Sequence, residues 1–294
     1  MNVIHSHDGA ADDQMALLLL THLHKSKQIN LLAVSILPAD SRAKPAIQMS
    51  NKIVEDMGIP VIFNDKETPN KFPDEWRDET IKICKLLDAD HDKYYKYESF
   101  ETLIEIMKTY SNITFIETGS LTTLADCLKM NDSIKQHIER IIWTGGCFDN
   151  NPGKSIKKIG DEVMDGTQSW NAFIDPMSAK YVINSNMKII MFPSELTNNI
   201  KLSDIYHNLP YTEIGEIFRK VYAEYINDAS YCIWDVFTVS YVGGNPFIEF
   251  DGNHIDIITE GISTGKTVKS PNGGYVYVVI NFEDPISHIL KLIG

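Results

Sequence analysis

The chain has 294 residues, 43% of them hydrophobic, enough for a sizeable core in one large α/β domain or two small ones. Its formal net charge of −13 is spread along the sequence, which excludes the basic surface that nucleic acid requires and favours a neutral or cationic ligand. Cys84, Cys127, Cys147 and Cys232 are widely spaced with no CxxC pair, as expected of reduced thiols in a cytoplasmic protein.

The first element carries the strongest chemical signal. An apolar strand over 2–5 runs through His5-Ser-His7-Asp8-Gly-Ala-Ala-Asp12-Asp13 into a helix that continues past Leu17 to Leu20. Asp8 then sits at the carboxyl end of the strand, where open α/β sheets place their ligands, and Asp12 and Asp13 open the helix. Capping and the helix dipole account for one or two acids at such a turn; a third needs a cation among them. An all-oxygen set with no cysteine nearby points to Ca²⁺ or Mg²⁺ rather than Zn²⁺. The apolar run at 17–20 is too short to span a bilayer, and no basic n-region or apolar h-region opens the chain, so no membrane partner is expected.

Further strands are predicted over 31–37, 60–63, 113–117, 140–143 and 188–192, alternating with helices over 45–57, 100–110, 121–128 and 176–184. This βαβ rhythm predicts an α/β fold with an open, mostly parallel, doubly wound sheet and helices on both faces. Beyond Phe192 come helical stretches over 212–227 and 234–242, then strand-like segments over 247–250, 255–259 and 275–280. No linker, repeat or low-complexity tract divides the chain, so 1–294 reads as a single domain. Two long loops stand out, 64–99 and 147–169, and long loops in compact domains often act as lids.

Weaker signals have plainer explanations. Gly261-Ile-Ser-Thr-Gly265-Lys-Thr267 has one residue too few between its glycines for a phosphate loop and suits a turn between strands. His5 and His7 lack the second histidine pair that a zinc site would need, while His22 and His24 suit a helix C-terminus. Neither Ser120 nor Ser169 lies in a Gly-x-Ser-x-Gly elbow, so acyl transfer is unsupported.

The spacing Asp8-x-x-x-Asp12-Asp13 resembles the N-terminal signature of the inosine-uridine-preferring nucleoside hydrolase family. Further matches follow in family order: Thr118-Gly-Ser-Leu-Thr-Thr-Leu-Ala, Ile142-Trp-Thr-Gly-Gly, Trp170-Asn171 with Asp175-Pro176, Phe192-Pro-Ser-Glu-Leu-Thr-Asn, and Trp234-Asp235. The resemblance implies an open Rossmann-like fold and Ca²⁺-dependent hydrolysis of the N-glycosidic bond of a purine or pyrimidine ribonucleoside. It assigns Ca²⁺ to Asp8, Asp13, the Thr118 carbonyl and Asp235, and makes Asp8 the general base that activates a water. Asp12 and Asn171 would bind the ribose 2′-hydroxyl and Asp235 the 3′-hydroxyl, with Asp40 standing where the family usually has Asn. Relatives commonly form homodimers or homotetramers.

The chain departs from the family pattern at two places. Ser169 stands where a Glu usually holds the 5′-hydroxyl, and Trp234 where many purine-active members place a His as leaving-group acid. Trp170, Trp76 and Arg77 are candidate contacts on the base or 5′ side, the last two in a lid over 72–77. Two alternatives remain open beside the hydrolase: a catalytically degenerate nucleoside- or ribose-binding protein, and a hydrolase of a 5′-modified or other N-riboside.

Overall fold

The computed structural model of the chain describes residues 1–149, 156, 158–159 and 162–294. In order it runs β1 (Asn2–His7), α1 (Ala11–Lys25), β2 (Asn30–Ile36), α2 (Ala43–Ile53), β3 (Val61–Phe63), α3 (Asp74–Leu86), α4 (Phe100–Thr109) and β4 (Ile113–Glu117). Then come α5 (Thr122–Met130), β5 (Ile138–Thr144), the short ladder of β6 (Lys158–Ile159) and β7 (Glu162–Val163), α6 (Trp170–Ile174), α7 (Pro176–Ile183) and β8 (Ile189–Phe192). The remainder is α8 (Ser194–Thr197), α9 (Leu202–Tyr206), α10 (Glu213–Tyr222), α11 (Trp234–Ser240), β9 (Ile248–Ile257), β10 (Thr267–Lys269), β11 (Gly274–Phe282) and α12 (Pro285–Ile293).

Side-chain alternation in the central strands explains why helices cover both faces of the sheet. Val3, Ile116, Ile142 and Ile190 pack into one buried cluster, with residues of α1, α10, α11 and α12. Their chain neighbours Ile4, Phe115, Ile141 and Ile189 pack into the other, with residues of α4, α5 and α7. Strands apolar on both faces belong in the middle of a parallel sheet. The nine-stranded sheet has the order β10-β9-β11-β8-β5-β4-β1-β2-β3. All its pairings are parallel except those of β9 with β11 and β10. The α/β, mostly parallel architecture is therefore as the periodicity predicts.

This order places a crevice. From β1 the chain winds outward through β2 and β3, then returns to lay β4 on the other side of β1 and continues through β5 to β8. Ligands of open α/β sheets bind where the winding reverses, outside the carboxyl ends of the strands. Asp8 follows β1 and Thr118 follows β4, so both stand at that switch point.

Three sequence expectations are corrected. The segment over 64–99 is not a bare loop, because it contains α3 and a single 3₁₀ turn at Asp92–Tyr94. The charged sequence of α3 hides a buried stripe of Thr80, Ile83 and Cys84. The segments over 247–250 and 255–259 are one strand, since the turn-like residues Asp251, Gly252, Asn253 and His254 pair with Val278, Tyr277, Val276 and Tyr275. The predicted helices over 45–57 and 212–227 are shorter, as α2 and α10. Gly261 to Thr267 joins the antiparallel strands β9 and β10, in keeping with its reading as turn chemistry. Part of the expected loop over 147–169 lies outside the described residues. No helix among the described residues is long and apolar enough to cross a membrane.

Candidate functional site

The turn after β1 is fixed by glycine. Gly9 has φ +89°, and a Cβ built on it would lie 2.4 Å from Ser41 Oγ and 2.7 Å from Ala46 Cβ. Only a residue without a side chain lets the backbone pass this close to α2 while turning into α1. The Ser41 hydroxyl donates to the Asp8 carbonyl at 2.6 Å and locks the turn. Asp8, Asp12 and Asp13 are thereby held at the floor of one cavity of about 350 Å³, together with Asp235 from the first turn of α11.

Each acid has a distinct set of partners. Asp13 does cap α1, as its Oδ2 accepts from Ala10 N at 2.9 Å, but its Oδ1 accepts from the Thr118 hydroxyl at 2.5 Å. Capping thus accounts for one oxygen of one of the three carboxylates. Asp12 accepts from the Asp235 backbone N–H at 2.7 Å and from the Tyr222 hydroxyl, tying the start of α1 to the start of α11. Asn171 spends its Nδ2 on the carbonyls of Thr118, at 2.7 Å, and Thr144, at 2.8 Å. With its donors so used, the amide oxygen is what it can offer a hydroxyl.

Two aromatic groups also line the cavity. On the side of α3 and α6, Trp170 stacks on Phe72 with ring centres 4.6 Å apart and meets Trp76 edge-on at 5.3 Å. On the side of α11, Trp234 donates its Nε1 to Asn198 Oδ1 at 2.8 Å and meets Tyr231, which stacks on Tyr225 at 4.4 Å. Ser169 and Asp40 line the cavity as well, Ser169 being buried. Arg77 does not line it: its guanidinium turns to the Ser41 carbonyl and to Asp74.

Several participants are not among the residues singled out from the sequence. Tyr222, Tyr225 and Tyr231 reach the site from α10 and the segment after it, and only the recurrence of tyrosine there hinted at a shared face. Glu117 ends the buried strand β4, where its Oε1 accepts from Gly119 N at 3.0 Å and so steadies the turn that presents Thr118. A glutamate at the end of an apolar strand was the visible clue. His5 and His7 stack on one another at 4.9 Å behind the floor, His5 Nε2 lying 3.1 Å from Thr118 Oγ1.

Burial dominates the electrostatics. Removal from water pushes Asp8, Asp13 and Asp235 well above the usual carboxylate range, and their mutual repulsion adds to it. Asp12 is pushed up to about 7 and Glu117 to about 8, again chiefly by burial. Among the described residues no Lys, Arg or His lines the cavity to offset these charges. Buried, all-oxygen and uncompensated, this donor set fits a hard divalent cation, which Asp8, Asp13, Asp235 and the Thr118 carbonyl would hold. No trio of cavity carboxylates brings its oxygens within 4.8 Å of one another; among the described residues only the exposed Asp88, Asp90 and His91 do so. That surface trio has no second feature pointing to a ligand.

A stability prediction follows from the signs of these shifts. A carboxylate whose folded pKa is raised favours the folded state below its unfolded pKa of about 4 and loses that contribution as pH rises through the folded value. The buried histidines work the other way, since burial lowers both and His7 to about 3, and their effect is complete once pH exceeds about 6.5. Between about pH 6.5 and 8.5 the acids alone decide, through Asp12 at about 7 and Glu117 at about 8. Chelator-treated protein is expected to lose thermal stability across that interval, and added Ca²⁺ to raise Tm more at pH 8.5 than at pH 6.5. Scanning calorimetry at a series of pH values measures both; a flat or rising Tm in chelator would remove the uncompensated-charge description.

Residues 3–285 match the family model of the inosine-uridine preferring nucleoside hydrolases. Among solved structures, an inosine-uridine preferring nucleoside hydrolase from Bacillus anthracis is similar at a TM-score of 0.82 and 29% identity, covering 99% of this chain and 98% of that one. The pyrimidine-specific ribonucleoside hydrolase RihB of Shigella flexneri is 22% identical over 174 residues, which are 55% of this chain and 52% of the relative. RihA of Shewanella oneidensis, also named as pyrimidine-specific, is 28% identical over 100 residues, 34% of this chain and 28% of the relative. The chain therefore matches about half or less of the length of these curated relatives. A family match over nearly the whole length, on a sheet whose switch point gathers Asp8, Asp12 and Asp13, means that this chain belongs to the inosine-uridine preferring nucleoside hydrolase family.

Proposed function

We propose that the chain is a Ca²⁺-dependent hydrolase that cleaves the N-glycosidic bond of a ribonucleoside to free base and ribose. The observation that carries this reading is the convergence of Asp8, Asp13, Asp235 and Thr118 in one cavity that also holds Asp12 and Asn171. When bound, the ion would keep the neighbouring carboxylates ionised and lower the pKa of water. Asp8 takes a proton from the attacking water as its oxygen approaches the anomeric carbon. Asp12 and Asn171 engage the 2′-hydroxyl and Asp235 the 3′-hydroxyl, fixing the sugar over the floor. As the C–N bond breaks, the ribose becomes an oxocarbenium-like cation, and the surrounding carboxylates stabilise its positive charge more than that of the neutral ground state. Ser169 and the Trp170, Trp76 and Phe72 rings offer the 5′ side a small hydroxyl and apolar surface rather than a carboxylate.

The test is release of base and reducing sugar from purine, pyrimidine and 5′-modified ribonucleosides, with Ca²⁺ or with chelator. Calcium-dependent release is expected. No release from any of them in Ca²⁺, with nucleoside still bound, would favour the degenerate binding protein, the reading that Ser169 and Trp234 motivate.

A further inference from the structure

The glycine-bounded segment Gly261 to Thr267 joins β9 to the edge strand β10, and it packs behind α6. Gly265 has φ +89°, and a Cβ built on it would lie 2.7 Å from Phe173 Cα and 2.8 Å from Phe173 N. The turn thus approaches the backbone of α6 more closely than any residue with a side chain would allow. The Gly265 carbonyl accepts from Ser169 N at 3.4 Å, just ahead of the helix. Two residues on, Thr267 grips the segment after β5. Its N–H donates to the Cys147 carbonyl at 2.9 Å, and its hydroxyl accepts from Cys147 N at 3.1 Å.

Asp165 fastens the same turn from the other side. Its Oδ1 accepts from Thr167 N at 3.0 Å, from the Thr167 hydroxyl at 2.6 Å and from Gln168 Nε2 at 3.1 Å, and its Oδ2 accepts from the Ser263 hydroxyl. Asp165 N and Gln168 Nε2 both donate to the Ile262 carbonyl. One carboxylate thereby folds residues 165–168 into a tight turn and ties them to the link between β9 and β10. The helix that follows, α6, has only five residues, too few to hold an orientation by its own hydrogen bonds. What grips its ends sets its place: the β9–β10 turn at its start, and Asn70, whose Nδ2 donates to the Phe173 carbonyl at 2.7 Å, near its end. Asn171 stands in this short helix and reaches the Thr118 and Thr144 carbonyls. The same turn therefore holds the chain on both sides of the bond between Asn171 and Thr144, through Ser169 on one side and Cys147 on the other.

Resting on the hydrolase reading above, we propose that the β9–β10 turn is a positioning element for the sugar: Asp165, Ser263 and Gly265 set the height and rotation of α6, and so aim the Asn171 amide oxygen at the ribose 2′-hydroxyl. Asp165, Ser263 and Gly265 do not line the cavity, so each acts through α6 and not on the substrate. Asn171 spends its Nδ2 on two carbonyls, and a tilt of α6 moves both of those bonds and the oxygen with them. An error of about 1 Å in a group that orients a reacting sugar costs up to about 100-fold in rate, which is why a five-residue helix in this place needs an external brace. The spacing of Gly261 and Gly265, which suits no phosphate loop, serves this close packing instead.

The test is a double-mutant cycle on the Ca²⁺-loaded full chain, with the ribonucleoside that it hydrolyses fastest. Asp165→Ala is expected to lower kcat/KM by about tenfold, and Asp165→Asn, whose amide oxygen still accepts from Thr167 and Gln168, by about twofold or less. In an Asn171→Ala background Asp165→Ala should cost less than about twofold, because the group it positions is gone. Inhibition by ribose and by 2-deoxyribose reads the same contact: the parent is expected to prefer ribose, and Asp165→Ala to lose most of that preference. Ser263→Ala, which removes a single donor, and Gly265→Ala, which drives a Cβ onto Phe173, carry the same cycle should Asp165→Ala fail to fold. Equal losses in the two backgrounds, or an unchanged preference for ribose, would mark a merely structural role and overturn the proposal while the hydrolase reading stands. Asn171→Ala as active as the parent, or a parent indifferent to the 2′-hydroxyl, would overturn it together with the assignment of Asn171. No hydrolysis of any ribonucleoside by the parent would overturn the hydrolase reading and this inference with it.

Discussion

Asp13→Ala is expected to abolish Ca²⁺ binding and turnover together, with kcat/KM falling by about 10³-fold or more, while the fold survives. The carboxylate occupies both of its oxygens locally, on Ala10 N and on the Thr118 hydroxyl, yet it sits at the floor of a cavity beside Asp8. Its loss costs one cap, about 1 kcal/mol, but removes a buried charge that repels Asp8. Chelated variant and chelated parent should therefore melt within a few degrees of each other near neutral pH. Adding Ca²⁺ should raise Tm for the parent alone, because only the parent binds the ion in its folded state. Asp235→Ala should behave alike. A residue with a merely structural role would give the reverse pattern, a large loss of Tm in chelator and a normal response to Ca²⁺. Retained turnover in either variant would refute the ligand assignment.

How much of this was legible in the sequence differs from element to element. Strands buried on both faces announce themselves as unbroken apolar runs, and Ile113–Glu117 is recovered to the residue. Helix ends and the antiparallel edge are harder. Asp251, Gly252 and Asn253 look like a turn, yet β11 supplies a partner for each, and cross-strand pairing overrides local preference. In the site, Asp8, Asp12 and Asp13 are close in sequence, so their meeting is a local event that spacing alone reports. Asp235 and Asn171 reach the cavity only through the long-range order of the sheet, and the family resemblance, not spacing, named them. Glu79 and Tyr222 lie on helices, and Tyr225 in the turn that follows α10, and their exposed-looking sequences do not reveal which side faces the crevice. Arg77 illustrates the same limit, since Asp74 one helical turn earlier and the Ser41 carbonyl turn its guanidinium away from the cavity.

Asp8→Asn separates binding from chemistry in a way that Ala cannot. An amide oxygen still ligates a hard cation, so Ca²⁺ affinity should fall by about tenfold or less, whereas Asp8→Ala should lose it. The amide cannot accept the proton of the attacking water, and kcat should fall by about 10²- to 10⁴-fold, the usual worth of a general base. The metal-free proteins provide an independent check. Asp8 and Asp13 are buried beside each other; burial pushes both upward, and at Asp13 the neighbouring Asp8 adds to it, so that ionising both is costly. Asn at position 8 puts an N–H donor where a like charge stood, so the chelated variant is expected to melt higher than the chelated parent at pH 8. Calorimetric titration with Ca²⁺, single-turnover rates and melting curves in chelator measure the three quantities separately. Undiminished turnover in Asp8→Asn would remove Asp8 as the base and shift that role to another floor carboxylate. Turnover lost together with Ca²⁺ affinity would make Asp8 a ligand whose charge, rather than whose basicity, the reaction requires.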